Sequence, residues 1–169
     1  MRWDGVAFRG HDPKWAWSPI SGDGAAAKGG RFNPKGVPAL YLALSLEGLL
    51  LEVCQGFAHR LEPLTICAYG VAASGLADLR TEEGRAAAAV KLEDMACAWA
   101  YDMACHRAPP SWVIARTLIA QGVNGVLVPS FAQGARSGMD NLVLWKWGPD
   151  SVAVFDPKHL LPRDQSSWR

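Results

Sequence analysis

No stretch of this chain approaches the ~18 consecutive apolar residues of a membrane-spanning helix. Its first residues, Met-Arg-Trp-Asp-Gly, lack the apolar core of a secretory signal. Both absences lead to the expectation of a cytoplasmic protein with no membrane partner. An excess of one charge is missing too: 17 lysines and arginines face 16 aspartates and glutamates, a formal net charge of +1. No broad field therefore draws DNA, RNA or an anionic membrane to the surface, and direct nucleic-acid binding is not expected. The four cysteines, Cys54, Cys67, Cys97 and Cys105, form no CxxC pair and sit in apolar or helix-like stretches, which reads as buried free thiols in a reducing compartment. His11, His59, His106 and His159 lack metal-ligand spacing, so no metal site is expected. The Walker loop, the GxGxxG fingerprint and the GxSxG nucleophile elbow are absent as well.

What remains is an ordinary globular balance, half hydrophobic and one fifth charged over 169 residues. That length suits a single domain, 1–169, with 158–169 as a C-terminal tail. Val6–Arg9 reads as a short first strand. From Gly10 to Pro38 the chain has almost no periodicity, yet Trp15, Trp17 and Phe32 argue for an ordered binding loop. Ala39–Ala43 has the length of a strand, and Ser45 is an N-cap for a helix running to about Arg60, with Leu46, Leu49, Leu50, Val53 and Phe57 as its buried stripe. Pro63 ends that helix, and Leu64–Val71 is a further strand. Thr81, Glu82 and Glu83 open an Ala-rich helix towards Cys105. Pro109 and Pro110 break the chain, Ser111 caps another helix and Gly122 closes it. Three strands follow: Val123–Val128, Asn141–Trp147 and Ser151–Phe155. Strands and helices mix without strict βαβ alternation, which predicts an α+β fold.

Few segments carry chemistry. Gly29-Gly30-Arg31-Phe32-Asn33-Pro34-Lys35-Gly36 pairs glycines, which admit a ligand close to the backbone, with an arginine whose fork suits phosphate oxygens. Composition alone equally allows a surface turn with a solvated arginine. Lys28, Arg31 and Lys35 form a compact basic cluster fit for a small anion. At about 100° per residue, Glu52 falls about 130° from the centre of its helix's apolar stripe, so periodicity assigns it to solvent. Tyr41 lies within a strand and reads as core or half-buried. Ser130 ends a strand, where loops place reactive groups, but no histidine carries a triad signature.

Six segments follow one another in a telling order: Phe8-Arg9-Gly10, Gly29 to Gly36, Leu40-Tyr41-Leu42-Ala43, Leu51-Glu52-Val53, Val128-Pro129-Ser130 and Asn141-Leu142-Val143-Leu144. In that order the chain, from about Val6 to Trp147, resembles the RES-domain toxins, which are named for an arginine, a glutamate and a serine. The resemblance implies a fold similar to mono-ADP-ribosyltransferases, a mixed β core split around an NAD⁺ cleft with flanking helices. It makes Arg31, Glu52 and Ser130 the catalytic set. Contacts to NAD⁺ would come from Arg9, Arg31, Tyr41, Phe32 and Ser130, joined by Lys28 of the basic cluster. Phe32 stands where the family usually has tryptophan, which keeps an aromatic face and loses an N–H donor.

The chemistry that the resemblance implies is cleavage of the nicotinamide–ribose bond, with NAD⁺ as substrate and no metal. A carboxylate suits it because the ribosyl centre becomes oxocarbenium-like. ParT-type toxins are the nearest likeness, so transfer of ADP-ribose to a protein is expected, with phosphoribosyl pyrophosphate synthetase as the acceptor by resemblance. The alternatives are an NAD⁺ phosphorylase or glycohydrolase using phosphate or water, and a catalytically silent module that only binds a nucleotide or its antitoxin. The implied partner is a cognate antitoxin with an Xre-like helix-turn-helix region that covers the active site.

Overall fold

The protein's structure, a computed structural model, describes residues 1–54 and 63–168. Seven strands, β1 (Arg2–His11), β2 (Leu40–Ala43), β3 (Thr65–Ser74), β4 (Leu76–Asp78), β5 (Gly125–Pro129), β6 (Asp140–Leu144) and β7 (Val152–Val154), form one sheet in the order β4-β5-β6-β2-β1-β3-β7. The β4–β5 pair is parallel and the others are antiparallel, giving the mixed sheet of an α+β fold. β1 pairs with β3 along its whole length. By contrast, β1 and β2 meet only at Phe8 opposite Ala43. The sheet is thus nearly two half-sheets, β4-β5-β6-β2 and β1-β3-β7, joined at one point, as a split core implies.

Side-chain alternation along the strands gives the sheet two apolar faces. Ala7, Leu40, Leu42, Cys67, Tyr69, Leu127, Leu142 and Leu144 pack on one face. Val126, Val128, Val143 and Trp145 pack on the other with Met95, Ile114, Ala115 and Leu118. The helices that supply these last residues are α4 (Leu92–Met95) and α6 (Pro110–Ala120). Tyr41 lies between Leu40 and Leu42 and so points to the helix-covered face, where it borders the second cluster. α2 (Leu46–Cys54) crosses the same face, because Gly10 of β1 leaves room that the side chains of Leu49 and Val53 enter.

Several elements differ from the sequence reading for local reasons. β1 is much longer than Val6–Arg9, because the entire β3 strand pairs with it. The loop from Gly10 to Pro38 contains a 3₁₀ turn at Pro13–Trp15 and a short helix, α1 (Asp23–Lys28). Ser45 does cap α2, its Oγ accepting from Gly48 N at 3.0 Å, but Leu46 and Leu50 are exposed while Leu49 is buried. The expected extension to Arg60, with Phe57, lies outside the described residues. The helix expected from Thr81 to Cys105 is three short ones: α3 (Glu82–Ala87), α4 and α5 (Trp99–Ala104). The left-handed φ of 53° at Ala89 marks the first break. α6 starts at Pro110 with Pro109 as a cap that gives no side-chain bond, and Ser111 turns inward instead of capping it. All four cysteines are free, but only Cys67 is buried and Cys105 is exposed. Among the described residues no helix is long and apolar enough to cross a membrane.

Candidate active site

The loop after α1 is built around close approaches. Gly29 has φ +76°, a conformation that disfavours side chains. A Cβ on Gly30 would stand 2.7 Å from both Asn33 Oδ1 and Tyr41 Oη, so that position admits only glycine without rearrangement. Gly30 and Asn33 bond to each other's backbone and tighten the turn. Asn33 is fully buried, and its Nδ2 donates to the carbonyls of Ala25 at 2.8 Å and Val37 at 2.9 Å. Tyr41 donates its hydroxyl to Asn33 Oδ1 at 2.7 Å and accepts from Phe32 N at 2.9 Å. Burial holds the Tyr41 phenol well above the usual tyrosine pKa, so it stays protonated and keeps donating.

This loop presents Arg31. The guanidinium donates through Nη1 to the carbonyls of Met95 at 2.9 Å, at the end of α4, and Cys97 at 2.7 Å, which also accepts from Trp99 N. Its carbon lies 4.8 Å from the centroid of the Phe131 ring, a cation–π contact. Burial lowers the Arg31 pKa, while Cys97 and then Glu52 act in the opposite sense. Arg31 therefore sits in the field of the Glu52 carboxylate.

Glu52 projects from α2 towards the ends of β5 and β6. Its Oε1 accepts from Ser130 Oγ at 2.6 Å and from Asn141 Nδ2 at 2.7 Å. Both bonds fall on the same oxygen, so the carboxylate is oriented while Oε2 has no bonded partner among the described residues. Ser130 in turn accepts from Ala132 N at 3.2 Å, which fixes its hydroxyl against its own loop.

These groups border a cavity of about 530 Å³ whose wall includes Lys28, Arg31, Tyr41, Glu52, Trp99 and Phe131. That volume lies within the usual range for small-molecule sites. A guanidinium, a lysine, a carboxylate and aromatic rings along one wall suit an anionic ligand that also carries flat groups. Ser130 belongs to a neighbouring cavity of about 470 Å³, with Arg80 and Arg136. Among the described residues no three histidines, cysteines or acids gather as metal ligands would.

Two residues singled out in the sequence stand elsewhere. Arg9 pairs with Cys67 across β1 and β3 and so faces the opposite side of the sheet from Tyr41. There Nη1 donates to the carbonyls of Pro19 and Ser21, both at 2.9 Å, pinning the loop to the sheet beside Tyr69, which bonds the same Pro19 carbonyl at 2.8 Å. Phe32 is 2% exposed and packs in the core, so its ring is closed to a ligand. Phe131, 6.3 Å from it between ring centroids, supplies the cavity's aromatic wall instead. Trp15 and Trp17 are exposed but do not line the cavity.

Sequence reasoning missed Asn141 as a site residue, although alternation could have found it. It is a polar side chain on the helix-covered face of β6, beside Val143 on that face and opposite Val128 and Ala43. Trp99 and Phe131 carried no such signal, since nothing local distinguishes a wall aromatic from a core one.

Comparison with known proteins agrees with this architecture. A chain from the crystal structure of the M. tuberculosis MbcT–MbcA toxin–antitoxin complex superposes with a TM-score of 0.65 at 21% identity, covering 92% of this chain and 84% of that one. At that identity the likeness carries the fold. No curated protein matches the chain. The RES domain model matches residues 6–166, nearly the whole length, and the chain belongs to the RES-domain family.

Proposed function

We propose that the protein is the toxin of a toxin–antitoxin pair that cleaves the nicotinamide–ribose bond of NAD⁺ and transfers ADP-ribose to a protein. The observation that carries this reading is the Glu52 carboxylate, held on one oxygen by Ser130 and Asn141 in the same cavity as Arg31. As the C–N bond breaks, its electron pair leaves with nicotinamide and the ribosyl carbon becomes cationic. A fixed carboxylate stabilises that charge without reorganising. Oε2 would accept a ribose hydroxyl, Arg31 with Lys28 would hold the pyrophosphate, and Tyr41, Trp99 and Phe131 would border the flat groups. The acceptor's nucleophile then bonds the ribosyl carbon and loses its proton.

Membership of the RES family supports the reading, and the toxin–antitoxin complex of the structural neighbour supports a cognate antitoxin. An Xre-like DNA-binding region in that antitoxin, and its covering of this cavity, rest on the resemblance to RES pairs. Transfer to a protein, with phosphoribosyl pyrophosphate synthetase as acceptor, rests on the likeness to ParT toxins. Incubation of the pure protein with NAD⁺, followed by chromatography, is expected to show nicotinamide release. Label from NAD⁺ in cell extract is expected on a small set of proteins. Release without protein labelling, with ADP-ribose phosphate formed only when phosphate is added, replaces the transferase by a phosphorylase. Absence of release overturns the enzyme.

A further inference from the structure

Among the described residues Asn33 and Ser111 are polar side chains with no exposure, and both serve the Gly29–Asn33 loop. Burying a hydroxyl costs free energy unless it is bonded, so its partner shows what the burial achieves. Ser111 lies in the first turn of α6 and donates to the carbonyl of Arg31 at 2.5 Å. The next residue, Trp112, donates its indole N–H to the carbonyl of Gly30 at 2.7 Å. From beyond β6, Trp145 donates its indole N–H to the carbonyl of Phe32 at 2.8 Å. Three consecutive carbonyls are thus held by side chains 80 or more positions further along the chain. None of these peptides can turn without losing a buried hydrogen bond.

Ser111 is the node of this clamp because it reaches both ends of the arginine. Its Oγ holds the Arg31 backbone and accepts from Cys97 Sγ at 3.4 Å, while the Cys97 carbonyl accepts from the Arg31 guanidinium. We infer that Ser111, assisted by Trp112 and Trp145, is a positioning residue that sets Arg31 for the pyrophosphate of NAD⁺. The inference rests on the proposed reading of Arg31 as the anion-holding group. It assigns no contact between Ser111 and the ligand.

The test is a double-substitution cycle between Ser111→Ala and Arg31→Ala, read on both the KM for nicotinamide release and the calorimetric affinity for NAD⁺. Ser111→Ala is expected to raise KM about tenfold, the scale of one lost buried hydrogen bond, with kcat changed less than about threefold. In the Arg31→Ala background the same substitution should change KM less than about twofold, while it lowers the melting temperature equally in both backgrounds. A merely structural serine would not show that split. Trp112→Phe, which removes the N–H and keeps the ring, should behave alike and carries the test if Ser111→Ala does not fold. Equal KM effects with and without Arg31 overturn the inference alone. A wild type that neither binds nor cleaves NAD⁺ overturns the functional reading and the inference with it.

Discussion

Glu52 shows how a single residue can be misplaced by periodicity and corrected by packing. At helical spacing it belongs opposite the apolar stripe, yet α2 lies on the sheet over Gly10, and position 52 meets Ser130 and Asn141 there. Glu52→Gln should keep both hydrogen bonds, because its amide oxygen can accept from the same two donors while the charge is lost. We expect turnover to fall by about 10²-fold or more with little change in melting temperature. Chromatographic rates of nicotinamide release check this, and an unchanged rate would remove Glu52 from the chemistry. The sequence order of Arg31, Tyr41, Glu52 and Ser130 anticipated which residues gather here. It did not anticipate that Arg9 stands on the far face, because the paired register with Cys67 decides that and no local pattern encodes it. Phe32 was misread for a similar reason: the loop turns its ring into the core and offers Phe131 in its place.

The loop between α1 and β2 is the element on which the site depends, and its two nearby glycines separate packing from helix propensity. Gly30→Ala would drive a Cβ into Asn33 Oδ1 and Tyr41 Oη, the two atoms that hold the turn. A loss of about 1–3 kcal/mol in stability is expected, with nicotinamide release reduced further because Arg31 moves with the turn. Gly24 also borders the cavity, but a Cβ there meets nothing within 4 Å, so Gly24→Ala should raise stability by about 0.4–1 kcal/mol. Denaturant unfolding of the two variants distinguishes them, and a Gly30→Ala protein as stable and active as wild type would contradict the account of the loop. Helix caps were legible at Ser45 and Thr81, whose hydroxyls both accept from the first turn, but not at Ser111, which bonds the distant Arg31 carbonyl instead. The broken segment from Glu82 to Ala104 was not legible. Its carbonyls at Met95 and Cys97 are bonded by Arg31, more than 60 residues earlier, and no window of sequence contains both.

Across the whole molecule the two half-sheets pair at one residue position, and the core that Ala7, Cys67 and Tyr69 share with Leu40 and Leu42 joins them across it. Each half contributes a tyrosine: the half-buried Tyr41 bonds Asn33 on one face, and the buried Tyr69 bonds the Pro19 carbonyl on the other. The mixed α+β class was legible from the succession of elements, but the strand order was not, since it follows from pairings between distant segments. The tyrosines give the fold a specific weakness at high pH. Burial raises both phenol pKa values above the ordinary value of 10.0, which the unfolded chain retains. A group whose pKa is higher in the folded state contributes fully below the unfolded value and loses that contribution as pH rises through the folded one. Stability should therefore hold up to about pH 10 and then fall, by up to about 1.4 kcal/mol per pH unit for each phenol. Tyr41→Phe should start from lower stability at pH 8, having lost the hydroxyl's bonds to Asn33 and from Phe32 N, yet decline less steeply above pH 10. Denaturant midpoints measured from pH 8 to 11 test this. Parallel curves for wild type and Tyr41→Phe would show that the buried phenol is not what binds the extra proton in the folded state.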